Sequence, residues 1–152
     1  MITSTSNQQM KNLTALMKKS RERKKQNAFV VEGIKMFLEA PKEWLISVYV
    51  SESFLQEEEH KKLLQEYTYE VVADAVFRSV SDTQTPQGIL AVVKRYHYTM
   101  EDLISVMDKR ENGNTFLVLE SIQDPGNLGT IVRTAEAADV TGIIIGGDSC
   151  DI

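Results

Sequence analysis

The sequence predicts an α/β fold in two parts, and three observations carry that expectation. Between residues 28 and 95, four strand-like runs alternate with helical segments, the pattern of a small layered α/β domain. Phe116-Leu117-Val118-Leu119 and Gly142-Ile143-Ile144-Ile145-Gly146 are uninterrupted apolar runs joined through one helical stretch. They read as a βαβ unit whose strands are of the kind buried on both faces. A connection from Tyr96 to Asn114 separates the two parts.

Asn7 to Lys19 places Met10, Leu13, Leu16 and Met17 at three- and four-residue intervals, so an amphipathic helix is expected, with Lys11, Lys18 and Lys19 off the stripe. Phe29-Val30-Val31 is the first strand, stopped by Gly33, and Ile34, Phe37 and Leu38 share one face of the helix that follows. Pro41 breaks the chain before the second strand, Trp44 to Val50. Ser53 is placed to cap a helix carrying Phe54, Leu55, Leu63 and Leu64, in which Glu57, Glu58 and Glu59 precede Lys61 and Lys62, the order the helix dipole favours. Tyr69-Glu70-Val71-Val72 is a third strand, Asp74 is expected to cap a short helix through Phe77 and Val80, and Gly88 to Val93 is the fourth strand. The connection holds a short helical stretch, Glu101 to Met107, and the loop Glu111-Asn112-Gly113-Asn114. Beyond it a helix is expected from Leu128 to Asp139, with a right-handed crossover between its flanking strands. One βαβ unit cannot cover both faces of its own sheet, so residues 115–152 read as the opening of a domain whose remainder lies beyond Ile152.

Composition narrows the function. A chain of 152 residues that is 42% hydrophobic and 26% charged, with one Cys, suits compact domains of the cytoplasmic kind and excludes collagen-like or low-complexity classes. No apolar run nears the roughly 18–20 residues of a membrane span, and Met1 to Ser6 lacks the charged-then-apolar order of a secretory signal. Cys150, His60 and His97 are too few for a disulfide framework or a zinc site, so no metal is expected. The net charge is −5, yet residues 1–27 hold seven Lys and Arg against Glu22 alone, a local +6 that leaves −11 for the rest. Lys18, Lys19, Arg21, Arg23, Lys24 and Lys25 are its densest block and the candidate contacts to RNA or DNA, because each neutralised phosphate releases counterions. A solvated helix end would carry the same charges, and the block alone leaves both readings open.

The chemistry-bearing stretch is Glu120-Ser121-Ile122-Gln123-Asp124-Pro125-Gly126-Asn127-Leu128-Gly129, continuing to Arg133-Thr134-Ala135. A strand ends, a Pro-Gly turn follows, and Asn127 is expected as the N-cap of the helix. Ligands of open α/β sheets bind at the carboxyl ends of strands, where this loop lies. Leu128, Ile131, Val132, Ala135 and Ala138 form the stripe that packs on the sheet, and Arg133 lies off it, one turn after Gly129. Helical side chains lean back over the preceding turn, so Gly129 leaves space beneath the guanidinium, a place suited to a phosphate or a polarised hydroxyl. From the residues alone, close helix–strand packing at Gly129 and an ordinary surface Arg133 account for the pattern equally well. The stretch is neither a G-x-G-x-x-G dinucleotide fingerprint nor a Walker loop.

Asp124-Pro125-Gly126-Asn127-Leu128-Gly129 with Arg133-Thr134-Ala135 resembles the first signature motif of the SpoU/TrmH family of RNA ribose methyltransferases. Arg23-Lys24-Lys25-Gln26-Asn27-Ala28-Phe29-Val30-Val31-Glu32-Gly33 and Thr85-Pro86-Gln87-Gly88-Ile89 are similar to the family's substrate-binding domain, which is L30e-like. The resemblance implies a basic helix or arm (1–27), an L30e-like α/β/α domain (28–95), a linker (96–114) and the first βαβ unit of an α/β-knot methyltransferase domain (115–152), ending before the knot. It implies methyl transfer from S-adenosylmethionine to a ribose 2′-hydroxyl in rRNA or tRNA, rRNA favoured. Arg133 would help activate the hydroxyl and Asn127 would organise the site, with Glu120 and Asp124 assigned more weakly. The cofactor pocket and the homodimer contacts are expected after Ile152, so the 152-residue chain alone is expected to be inactive. The alternative is a non-catalytic L30e-like RNA-binding module.

Overall fold

The computed structural model describes residues 1–110 and 113–150, so Glu111 and Asn112 of the expected loop lie outside the described residues. The chain forms two compact units, Met1–Tyr96 and His97–Ile152.

In the first unit, helix α1 (Gln8–Lys18) is capped by the Asn7 side chain and buries Met10, Leu13 and Leu16. Burying side chains of this size stabilises by roughly 1.5–3 kcal/mol each. A second helix, α2 (Ser20–Gln26), follows directly and has no buried residue. Strand β1 (Ala28–Glu32), helix α3 (Ile34–Glu39), strand β2 (Leu45–Ser51), helix α4 (Glu58–Leu63), strand β3 (Glu70–Val72), helix α5 (Asp74–Val80) and strand β4 (Ile89–Lys94) complete the unit. The sheet order is β1-β4-β2-β3, antiparallel except for the β2–β3 pair.

Strand β4 is central and apolar, and its alternation feeds two cores. Leu90 and Val92 join Met10, Leu13, Leu16 and Phe77 on one face, and Ile89, Ala91 and Val93 join Phe37, Phe54 and Leu64 on the other. Both faces are therefore covered by helices, the α/β/α layering expected. Residues 1–27, expected as a basic helix or arm, are built into this unit: Ile2 pairs with Val72 and the α1 stripe lies in the first core.

Two capping expectations are corrected. Ser53 caps no helix: Phe54–Gln56 is a 3-10 turn, and α4 begins only at Glu58. Asp74 is the first residue of α5 rather than its cap, and its carboxylate accepts from the Ser53 backbone N–H (3.0 Å) and hydroxyl (2.9 Å). Each group satisfies the other across 21 residues of chain. Leu38, expected on the buried face of α3, is 55% exposed, because α3 is only six residues long and turns a single side chain, Phe37, fully inward.

At the opposite end of β1 from α2, Glu32 accepts from the hydroxyls of Ser81 and Thr83, and Gln87 Oε1 accepts from Ile34 N–H at 2.9 Å, at the start of α3. Gly33 makes this possible: its φ is 95°, and a Cβ there would stand 2.8 Å from Gln87 Oε1. The two segments quoted above for their likeness to a substrate-binding domain thus touch one another.

In the second unit, helix α6 (Met100–Met107) carries a reciprocal capping box between Thr99 and Asp102. Strands β5 (Phe116–Leu119) and β6 (Gly142–Ile145) are parallel and flank helix α7 (Pro125–Ala137), the βαβ unit expected. Leu103 of α6 approaches Gly142 so closely that a Cβ there would lie 2.6 Å from its Cδ1. The helix stops before Asp139, whose φ is 54° and whose carboxylate pairs with Arg110. The expectation of strands buried on both faces is not met within the chain: Val118 and Ile144, paired in register, are 73% and 42% exposed. The α7 stripe is also narrower than expected, since Leu128 and Ala135 are buried but Val132 and Ala138 are exposed.

Candidate functional site

The loop after β5 is shaped by hydrogen bonds to the loop after β6. Gly146 N–H donates to Leu119 O (2.7 Å), Cys150 N–H to Ile122 O (2.7 Å), and Ile122 N–H to Ser149 Oγ (3.3 Å). Ser121 takes a φ of 56°, which turns the chain toward α7. The carboxyl ends of both strands and the start of α7 are thus joined in one exposed surface.

Helix α7 begins at Pro125. Asp124 is the N-cap, its carboxylate accepting from Asn127 N–H at 2.6 Å, and Pro125 occupies the first helical position. This corrects the expectation that Asn127 caps the helix. A proline is tolerated where its missing N–H has no partner to lose, and that fixes the preceding Asp as the cap. Asn127 lies instead in the first turn, with its side chain exposed at the positive end of the helix.

Arg133 leans back over Gly129: a Cβ on that glycine would meet its Nη1 at 3.4 Å. Nη2 donates to Thr130 Oγ1 at 3.1 Å, and the Thr130 hydroxyl donates in turn to Gly126 O at 2.9 Å. The guanidinium is held toward the loop end of the helix while the rest of its donor edge stays in solvent. No hydrogen bond joins Asn127 to Arg133 among the described residues; the two are about a third of a turn apart around the helix. Glu120 is exposed at the end of β5. Thr130 is the residue that sequence reasoning missed. Its signal was the three-residue spacing to Arg133, which puts the two on one helical face.

The basic residues divide by environment. Lys18, Lys19, Arg21, Lys24 and Lys25 are exposed around the corner between α1 and α2. Arg23 is turned inward, and its Nη1 donates to Leu16 O (3.1 Å) and Met17 O (3.2 Å), the open carbonyls at the end of α1. It fixes the corner on which the other cations stand.

Residues 7–91 match the MRM3-like substrate binding domain, and residues 114–152 match the SpoU rRNA Methylase family. The chain belongs to the family of the MRM3-like substrate binding domain, which accounts for more than half of it. It is similar to the 23S rRNA (guanosine(2553)-2'-O)-methyltransferase RlmP of Bacillus subtilis, 33% identical over 99% of this chain and 56% of that protein. Among solved structures, an rRNA methyltransferase from Sinorhizobium meliloti aligns with a TM-score of 0.77 at 27% identity, over 99% of this chain and 56% of that one. The AdoMet-bound form aligns with a TM-score of 0.73 at 27% identity, over 99% and 55%. The chain spans a little over half the length of these relatives. The SpoU match covers the loop and helix that carry Asp124, Asn127, Gly129 and Arg133, and the substrate-domain match covers the α1–α2 corner.

Proposed function

We propose that the chain belongs to an enzyme that methylates ribose 2′-hydroxyls of RNA, rRNA favoured, with the first unit holding RNA and α7 supplying the reacting end. The observation that carries this reading is the Arg133 guanidinium held over Gly129 by Thr130, at the carboxyl end of a parallel sheet. A ribose hydroxyl has a far higher pKa than any side-chain base at neutral pH and must lose its proton as its oxygen attacks. A fixed cation stabilises the charge that develops on that oxygen. Arginine keeps its own proton, so its role is electrostatic and an RNA phosphate is the natural acceptor. Asn127, at the helix start, orients the ribose in this reading.

The methyl donor assigned to the full-length protein is S-adenosylmethionine, supported by the AdoMet-bound relative. The loops after β5 and β6 are tied together through Gly146 N–H, Cys150 N–H and Ile122 N–H. The donor's contacts are assigned to residues after Ile152, and so is the homodimer interface. Residues 28–95 act as the substrate-binding domain and 96–114 as the linker, and the setting in this reading is cytoplasmic. No helix among the described residues is long and apolar enough to cross a membrane.

The test is transfer of radiolabelled methyl from S-adenosylmethionine to rRNA by the full-length gene product, followed by mapping of the modified nucleotide. Label on a ribose oxygen is expected. Salt-sensitive RNA binding without any transfer would favour the non-catalytic module.

A further inference from the structure

Strands β2 and β3 run parallel, with Ser51 opposite Val72 at their carboxyl ends. The chain leaves those two ends toward opposite faces of the sheet. After β2, Phe54 joins the core of Phe37 and Leu64; after β3, Val76 and Phe77 of α5 join the core of Met10 and Leu13. Neighbouring strands whose connections diverge in this way leave a crevice at their carboxyl ends, the place where open α/β sheets hold ligands. Here it is a cavity of 370 Å³, within the roughly 300–1,000 Å³ of small-ligand pockets. The loop before β4 forms a further wall, and that loop is held from outside the cavity: Glu32 accepts from the Ser81 and Thr83 hydroxyls, and Gln87 Oε1 accepts from Ile34 N–H.

The polar side chains that line the crevice are fixed but not used up. Asp74 Oδ1 accepts both hydrogen bonds from Ser53, which orients the carboxylate and leaves Oδ2 with none among the described residues. Arg78 stands four residues on, on the same face of α5, and its charge acts on Asp74. It is exposed and makes no ion pair or hydrogen bond among the described residues. The side chains of Gln84 and Thr85 line the same space and make no hydrogen bond among the described residues either. Phe77 and Pro86 supply the apolar part of the lining.

A carboxylate acceptor and a guanidinium donor on one cavity match the pairing edge of a nucleobase, where N–H groups stand beside carbonyls or bare ring nitrogens. In a duplex that edge is taken by the opposite strand; in a bulge or loop it is open. We propose that the crevice receives one unpaired base of RNA, edge first, with a base N–H donating to Asp74 Oδ2 and Arg78 donating to an acceptor of the same base. This role rests on the reading of the first unit as the part that holds RNA, and it adds the form of RNA selected.

Three RNA duplexes of otherwise identical sequence test it on the full-length protein. One carries a bulged guanosine, one has that guanosine paired with cytidine, and one keeps the bulged sugar and phosphate without a base. The bulged guanosine is expected to bind about tenfold tighter than either of the others, the size of one good base contact. The ratio of the two bulges cancels the phosphate contacts they share. Arg78→Ala and Asp74→Asn should each bring that ratio close to one, and Arg78→Ala should do so with an unchanged thermal melt, because its side chain is exposed. A ratio near one in the wild type, or a ratio unchanged in either variant, overturns the crevice. Competition by free guanosine monophosphate at the concentration of the bulged RNA would make it a site for a small nucleotide and overturns it as well. Salt-sensitive binding with a ratio near one leaves the RNA reading standing, whereas no salt-sensitive binding to any of the three sinks both.

Discussion

A Cβ on Gly129 would stand 3.4 Å from Nη1 of Arg133, so the guanidinium occupies the space that any larger residue at 129 would claim. Gly129 lies on ordinary helical backbone inside α7, where alanine is favoured over glycine by about 1 kcal/mol. Gly129→Ala is therefore expected to raise the melting temperature while lowering methyl transfer by the full-length protein. A misplaced reacting group costs up to about 10²-fold in rate. Thermal melts and radiolabel transfer on the same preparation check the opposite signs; activity unchanged with stability raised would show that the glycine serves packing only.

Arg133→Ala should leave the melt and RNA affinity near wild type and reduce methyl transfer by about 10²–10³, the scale for one electrostatic contact made in the transition state. Arg133→Lys should recover little, because a flexible ammonium lacks the planar fork held by Thr130. Thr130→Val should fall between wild type and Arg133→Ala. Near-normal turnover in Arg133→Ala would reduce that residue to surface decoration.

The basic corner separates into binding and building. Joint replacement of Lys18, Lys19, Arg21, Lys24 and Lys25 by Ala should flatten the dependence of RNA affinity on salt, by about 0.7 in log–log slope for each single-strand phosphate left without its cation. Arg23→Ala should act on the fold, since two carbonyls of α1 lose their donor. A charged donor of this kind contributes about 1.5–3 kcal/mol, and a denaturant midpoint measures it. An unchanged salt slope in the fivefold variant would make the corner a solubilising surface.

Asp74 supplies a pH dependence. The Ser53 backbone N–H bonded to its carboxylate, aided by the Ser53 hydroxyl, holds its pKa below the ordinary 3.8. A depressed carboxylate contributes stability that is complete above the unfolded pKa and is lost as pH falls through the folded one. Melts of wild type and Asp74→Ala should therefore differ at neutral pH and converge below about pH 4. A gap that persists in acid would mean that the residue matters for packing and not for its charge.

Regular patterns were legible and tertiary partnerships were not. Met10, Leu13 and Leu16 announce α1 by spacing alone, and the apolar run of β4 announces a strand covered on both faces. Helix α2 has no apolar stripe, so periodicity is silent; a corner locked by Arg23 and the left-handed Asn27 makes it helical. Ser53 and Asp74 each look like caps locally, yet their partner is the other, a pairing no local pattern records. At the candidate site the position of Arg133 over Gly129 follows from helical geometry and stands as expected, whereas Pro125 at the first helical position makes Asp124, not Asn127, the cap.

Ile2 closes the far edge of the first sheet, donating to Val71 O at 2.7 Å and accepting from Ala73 N–H at 2.9 Å. On the ribosome this joint is a matter of timing. At about 5–20 residues per second, roughly four to fourteen seconds separate the synthesis of Ile2 from that of Val72. Through that interval Met10, Leu13 and Leu16 have no sheet to rest on, and the cations around them are the nearest guard against association with other nascent chains. The charge proposed to meet RNA therefore also serves this segment before there is a fold to bind with.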